Sequence, residues 1–391
     1  MTDDRKEEEK EEASSEEEAS SEEETSSKEE EPTSTEQELD PYDLDSEAPL
    51  PPPVEKIRSF VASFVVMVLC LVGVEFAFRE SPVDKAIRKS YHHVMKMEAY
   101  RKMGGDIVVT GSSRMFHAAI PHTMTQVLEE ATGHHYSVFN LGIPAGRMPA
   151  FQMMANEAAQ HERRPRLFII GVDPVLWSCC ETVSASHVAP MITPSAIRWL
   201  VRATWWAYPE EAGSAIAMGL SHTLAERTDT LETYKNMVLP GPPLNFEGLS
   251  YGWISQGGRT SAAVQEARAK GRTTAYGKLM DKSLGAKVFD VNLQYLEWAI
   301  RQLKHAGIKV LVIGTPQARQ LDANHDSAHT YAEAMAAVRT VTEKTKTPFH
   351  DFNDFTSLEN IDFVDGDHMS EPGAQKFTQI MTRTAVVPLL Q

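Results

Sequence analysis

Cysteine is nearly absent from this chain, with three in 391 residues. Cys70 lies inside an apolar run, and Cys179 and Cys180 are adjacent and poorly placed to bridge each other, so no disulfide framework is available and ordinary burial has to hold the fold. No His-Glu-x-x-His or Cys-x-x-Cys occurs. The paired histidines His92-His93 and His134-His135 send their side chains in divergent directions on a helix or a strand, so no metal centre is expected. A glycine-rich phosphate or dinucleotide loop is missing, as is a basic tract, so neither a diffusible cofactor nor a nucleic-acid partner is implied.

Charge is present but misplaced. Residues 1–47 hold 22 Asp or Glu against 4 Lys or Arg, a local charge of −18, which leaves the rest of the chain near +1 within a total of −17. The acidity therefore says little about the partners of the folded part. A Glu/Ser-rich stretch with almost no apolar residues cannot offset its ordering entropy, so residues 1–53 are expected to be a disordered acidic tail, a solvated spacer or a partner-binding arm.

One long apolar run exists, from Phe60 to Phe78, interrupted by Glu75 alone. About 19 residues at the helical rise just crosses a hydrocarbon core of about 30 Å, so residues 54–80 are expected to be an uncleaved membrane anchor, with a buried core helix as the alternative. Within about 20 residues on each side, the N-terminal flank carries Lys56 and Arg58, and the C-terminal flank carries Arg79, Lys85, Arg88, Lys89 and Lys96. Charge alone would leave the large domain in the cytoplasm.

Beyond the anchor, residues 81–391 are ample for one large α/β domain. Residues 82–103 read as a connecting helix ending at Gly104-Gly105. The pattern then alternates: strand 107–110, helix 114–132, strand 136–140, helix 147–161 and strand 166–171. The rhythm returns with helix 291–306, strand 309–313, helix 331–344, strand 349–352 and a closing helix from Glu371. Short β-rich runs followed by helical periods are the signature of parallel strands with crossover helices. Residues 178–288 lose this rhythm and read as a mostly helical insertion. Its Trp- and Arg-bearing segment from Pro194 to Trp206 is expected to pack as a lid, the alternatives being a membrane-surface segment or the lining of a substrate groove, with loops at 240–243 and 252–258.

Four loops carry the chemistry. They are Gly111-Ser112-Ser113-Arg114, Phe139-Asn140-Leu141-Gly142, Gly171-Val172-Asp173-Pro174 and Asp365-Gly366-Asp367-His368. The first three each follow a strand, so all three emerge at the same sheet edge, where α/β active sites form. An Asp three residues before a His can hold one ring nitrogen and leave the other free as a base, and a hydroxyl at a strand end supplies the nucleophile it needs. Each element alone also suits a plain structural role, since Gly and Ser favour strand-to-helix turns and Asp caps helices. Their order along one edge is what joins them. His117 lies a turn into the next helix without an evident orienting acid and reads as a packed or exposed histidine.

This arrangement resembles the SGNH/GDSL hydrolase family, over about residues 104–177 and 289–385. It looks particularly like the membrane-anchored branch of polysaccharide O-acetylation and teichoic-acid D-alanylation proteins. The resemblance implies a flavodoxin-like three-layer α/β/α sandwich. By position, Ser113 would be the nucleophile, His368 the base and Asp365 its orienting carboxylate. Gly142 would offer its N–H to the oxyanion beside that of Ser113, with Asn140 fixing the loop. Two departures stand out: Ser112 replaces the family's Asp, and Asp173 occupies the place of an oxyanion-donating Asn. An ionised Asp donates nothing, and losing such a donor typically costs about 10²- to 10³-fold in turnover. Asn140 or Arg114 is the candidate substitute.

What the resemblance implies is a serine esterase or acyltransferase acting on acyl esters, O-acetyl groups of a surface or extracellular glycan above all. An acylated glycan would be the substrate, and a membrane acyl-donor protein a possible partner. The resembled branch displays its domain outside the cytoplasmic membrane, against the flanking-charge count. A non-catalytic, membrane-anchored glycan-binding or assembly protein that keeps the hydrolase fold stays open as the alternative.

Overall fold

The apolar residues of the strands divide into two sets by alternation, and that division builds the layers. Val108, Phe168, Ile170, Val310 and Val312 belong to one buried cluster, while Ile107, Val109, Leu167, Ile169, Leu311 and Ile313 belong to another. Successive side chains of a strand point to opposite faces, so a sheet with apolar residues at every position must be covered on both sides. The computed structural model describes residues 54–79, 92–144, 146–173, 287–319, 325–353 and 357–391, with a few more between 251 and 268.

Five parallel strands form the sheet: β1 (Ile107–Thr110), β2 (Val138–Asn140), β3 (Leu167–Val172), β4 (Lys309–Gly314) and β5 (Phe349–Asp351). Their spatial order is β2-β1-β3-β4-β5, with Val109 facing Ile169 and Asn140 in register, and Ile170 facing Val312. The order reverses where β1 meets β3, and the loops leaving those two strands splay apart at their carboxyl ends. The first face is covered by α2 (His92–Met103), α5 (Met148–Gln160), α6 (Lys287–His305) and α7 (His325–Lys344). The second is covered by α4 (Pro121–Thr132), α8 (Glu371–Met381), and the closing turns through α9 (Val387–Leu390). A short helix, α3 (Ser113–Ala118), contributes Phe116 to the first cluster and Met115 to the second. The architecture is thus the three-layer α/β/α sandwich with a parallel sheet.

The expected single helix over 114–132 is two helices. Pro121 stands at the first turn of α4, and Ala119 and Ile120 are extended (φ −94°, ψ 102° and φ −90°, ψ 109°). A proline disfavours the helical region for the residue before it, and that steric conflict breaks the run. Gly133 ends α4 in the left-handed region at φ 71°, as a C-terminal glycine should. The other elements fall within a few residues of their expected bounds, apart from α7, which starts at His325.

The apolar run lies in α1 (Val54–Arg79), where residues Arg58–Ala77 have a mean hydropathy of 2.5 and none of them is buried. Phe60 and Leu69 are 71% and 64% exposed. By length and composition this helix can cross a membrane. The acidic tail 1–53, the first half of the connecting helix, Cys179-Cys180, the Pro194–Trp206 segment and nearly all of the insertion lie outside the described residues.

Candidate active site

Two adjacent serines leave β1, and the helix start assigns them different surroundings. Ser112 is the N-cap of α3, extended at φ −69° and ψ −168°, and its Oγ accepts from the Arg114 N–H at 3.3 Å. The same Oγ donates to Asp173 Oδ2 at 2.5 Å, just beyond the end of β3. Ser113 is the first helical residue, a position whose N–H no helix turn uses. Its Oγ lies 2.8 Å from His368 Nε2, across 255 residues of sequence.

His368 is placed by a tightly bonded loop after β5. Asp365 Oδ1 accepts from the backbone N–H groups of Asp367 at 3.1 Å and His368 at 2.7 Å, an Asx turn that folds the loop over its own side chain. Val364 N–H donates to the His368 carbonyl at 2.8 Å, and Ser370 N–H donates to the Asp362 carbonyl at 2.9 Å. Ser370 then caps α8. That helix is tied to α3 by Thr378, which donates to the Ala118 carbonyl at 2.7 Å and accepts from the Ile120 N–H at 3.1 Å. The Ser113 helix and the His368 loop are therefore fixed to each other through the Thr378 side chain.

The imidazole is held from its far side. Nδ1–H faces Asp365 Oδ2 at 2.9 Å and Oδ1 at 3.1 Å, and Asp367 Oδ1 at 3.2 Å. With its proton on Nδ1, the neutral ring leaves Nε2 as the acceptor for the Ser113 hydroxyl. Burial alone would push the His368 pKa down. Hydrogen bonds to Asp365 and Asp367 outweigh it and lift the value to about 9. Asp365, Asp367 and His368 bring ligand-type atoms within 4.8 Å of one another, but those atoms bond each other, carboxylate to imidazole. The arrangement is that of an oriented base.

The residues expected around an oxyanion have these partners. Gly142 N–H donates to Asn140 Oδ1 at 2.8 Å, within its own loop. Asn140 Nδ2 donates to the carbonyls of Met115, Phe116 and Ala119 at 3.1, 3.3 and 2.7 Å, so this side chain fixes the β2 loop onto α3. A Cβ on Gly142 would come within 2.8 Å of the Phe116 nitrogen, which shows that the glycine is needed for backbone-to-helix packing. Asp173 is fully buried against Ser112. Arg114, also buried, lies with its Nε 3.7 Å from Asp367 Oδ2, and its Nη1 donates to Gln317 Oε1 at 3.4 Å.

Lys96 escaped the sequence reading, whereas His117 is packed, one of the two states read for it. Lys96 on α2 is fully buried, donates to the Gly142 carbonyl and sits 3.9 Å over the Phe116 ring, and burial pushes its ammonium pKa well down. His117 is buried with its ring edge-on to His368, centroids 5.8 Å apart. Its carbonyl accepts from Trp253 Nε1 at 2.9 Å, while the Tyr251 carbonyl accepts from Asn140 N–H at 2.9 Å and Ser255 Oγ donates to Glu371 at 2.9 Å. Residues of the insertion thus run along the edge that carries Ser113 and His368. For Lys96 no sequence signal existed, because it lies in a basic run that looks solvated.

No family model and no curated protein matches the chain. Among solved structures, the chain is similar to Est24, a carbohydrate acetylesterase from Sinorhizobium meliloti. That match has 10% identity and a TM-score of 0.34, over 72% of this chain and 98% of that one. It is also similar to the aryl esterase of M. smegmatis in its inhibitor-bound form, with 13% identity and a TM-score of 0.31, over 72% of this chain and 97% of the other. The chemistry of the site stands on the side chains of this chain alone.

Gly373 supports the His368 loop by absence of a side chain, since a Cβ there would lie 1.9 Å from the Asp362 carbonyl oxygen. That contact is backbone and cannot swing aside. Gly373→Ala should therefore destabilise the domain by about 1–3 kcal/mol or more, read as a fall in thermal midpoint of roughly 5 °C or more. An unchanged midpoint would show that α8 is not seated as described.

Proposed function

We propose that this chain is a membrane-anchored serine ester hydrolase or acyltransferase of SGNH type. The 2.8 Å contact between Ser113 Oγ and His368 Nε2, with Asp365 behind Nδ1, carries the reading. In the proposed reaction, His368 Nε2 takes the Ser113 proton as Oγ attacks the acyl carbon. The new C–O bond closes a tetrahedral oxyanion, which the Ser113 N–H at the helix start can meet. Collapse breaks the ester bond, and the imidazolium returns its proton to the departing alcohol. Water, or a second hydroxyl, then resolves the acyl-enzyme, giving hydrolysis or transfer respectively.

The substrate class follows the resembled motifs: O-acyl esters of a surface glycan, acetyl first. Asp365 and Asp367 favour the imidazolium that forms in mid-reaction, at the cost of a resting base that is mostly protonated at neutral pH. At pH 7 a group with a pKa of about 9 is roughly 1% deprotonated. The alternative, a non-catalytic binding or assembly protein, draws on Asp173 and Gly142, whose polar atoms are engaged by Ser112 and Asn140.

Labelling of the full-length protein by a fluorophosphonate probe separates the two. Wild type should label at a rate that rises about tenfold per pH unit from pH 7 and levels off near pH 9, following the neutral fraction of His368. Ser113→Ala and His368→Ala should lose labelling by at least about 10³-fold. No labelling of any of the three proteins at any pH favours the binding module.

The proposed topology places the domain outside the cytoplasmic membrane and the acidic tail within. A C-terminal fusion to a phosphatase that matures only outside the cytoplasm should be active. Activity confined to a cytoplasm-dependent reporter overturns the orientation.

A further inference from the structure

Beyond Asp365, a second carboxylate reaches the same ring nitrogen. Asp367 Oδ1 lies 3.2 Å from His368 Nδ1, and Asp367 is only 3% exposed. Its other oxygen, Oδ2, faces the Arg114 guanidinium at 3.7 Å, and Arg114 is 2% exposed. Arg114 is in turn oriented by Gln317, whose own N–H donates to Asn353 Oδ1 at 3.0 Å. A polar chain therefore runs from just beyond β5 through Arg114 and Asp367 to the base. Its two charged members, Arg114 and Asp367, are buried, where charges act more strongly than in water.

We propose that Asp367 is a positioning residue for His368, a second carboxylate clamped on Nδ1 by the Arg114 guanidinium, so that Arg114 governs the base from the residue next to the nucleophile. This rests on the serine-hydrolase reading of the same site. Ser113 and Arg114 are neighbours on α3, one facing Nε2 and the other reaching Nδ1 through Asp367. Any movement of α3 against the loop therefore changes both sides of the ring together.

Among the described residues, few groups face His368. Its own loop supplies Asp365 and Asp367, and α3 supplies the Ser113 hydroxyl, Arg114 and the edge of His117. At the start of α8, Glu371 is exposed and bonded to Ser255. The clamp predicts opposite signs for its two members. The Asp367 carboxylate favours the imidazolium, so removing its charge makes the ring lose its proton at lower pH. The Arg114 cation opposes the imidazolium and partly neutralises Asp367, so removing it makes the ring hold its proton to higher pH.

The test uses the full-length protein in detergent micelles, with two readouts. The first is the pH midpoint of fluorophosphonate labelling, and the second is the midpoint of the His368 imidazole signal by NMR, assigned with His368→Gln. Asp367→Asn should lower both midpoints by about one pH unit, and Arg114→Gln should raise them by about half a unit or more. Should Arg114→Gln fail to fold by its thermal melt, Arg114→Met carries the test, with the same upward shift expected because the cation is removed while the length of the side chain is kept. Midpoints that stay within about 0.2 units, or move in the same direction for Asp367→Asn and Arg114→Gln, overturn the clamp. If wild type labels normally while the midpoints fail to move, the clamp falls and the serine reading stands. If the NMR midpoints move as stated and nothing labels, the clamp stands and the serine reading falls.

Discussion

The contact of Ser113 with His368 exists because two neighbouring hydroxyls are kept apart in role. Ser112, as the cap of α3, turns its oxygen back toward its own helix and toward Asp173, which leaves Ser113 alone to meet the imidazole. The helix start enforces this division. A cap residue is extended and the next residue is helical, so their side chains leave in different directions. Asp173 has a structural explanation in the same terms. A carboxylate at the end of β3 accepts the Ser112 hydroxyl. It thereby holds the cap that aims the neighbouring serine.

The second half of the contact depends on a loop that bonds mostly to itself. Asp365 accepts from two backbone N–H groups and also receives the ring Nδ1–H, so one side chain shapes the turn and orients the imidazole. Thr378 fastens the following helix to the end of α3. Since β1 and β5 are separated by β3 and β4 in the sheet, neither strand brings the two loops together. Packing of α8 across the face of the sheet does so. A loop shaped this way carries two carboxylates against one imidazole, and that sets the high affinity of His368 for its proton.

Much of this was legible in the sequence, for identifiable reasons. Strands buried on both faces read as continuous apolar runs, and Ile107–Thr110 and Leu167–Val172 are such runs. The Asp-x-x-His spacing survives into the structure because an Asx turn and a side-chain contact need those same three residues. The break at Pro121 was written in the chain and overlooked, since the apolar period continues through it. Less could be read about Gly142 and Arg114. Their residue types fit either substrate contact or internal bonding, and only the paths of α3 and the β2 loop decide which partners they meet. Asp367 was invisible as a second carboxylate, because alternation along a loop does not say which of two acids faces the ring. Lys96 was hidden by its basic neighbours, and its burial depends on how α2 lies over Phe116.

The central claim is that Ser113, and not the equally exposed-looking Ser112 beside it in sequence, forms the covalent acyl intermediate. The most direct measurement is acid-quenched peptide mass spectrometry of the full-length protein after brief exposure to an activated acetyl ester at pH 9, with fragmentation that separates the two serines. The account predicts an acetyl group on Ser113 that disappears as turnover is allowed to finish. Acetyl found on Ser112, or no acetyl on either serine while the ester is consumed, would contradict it.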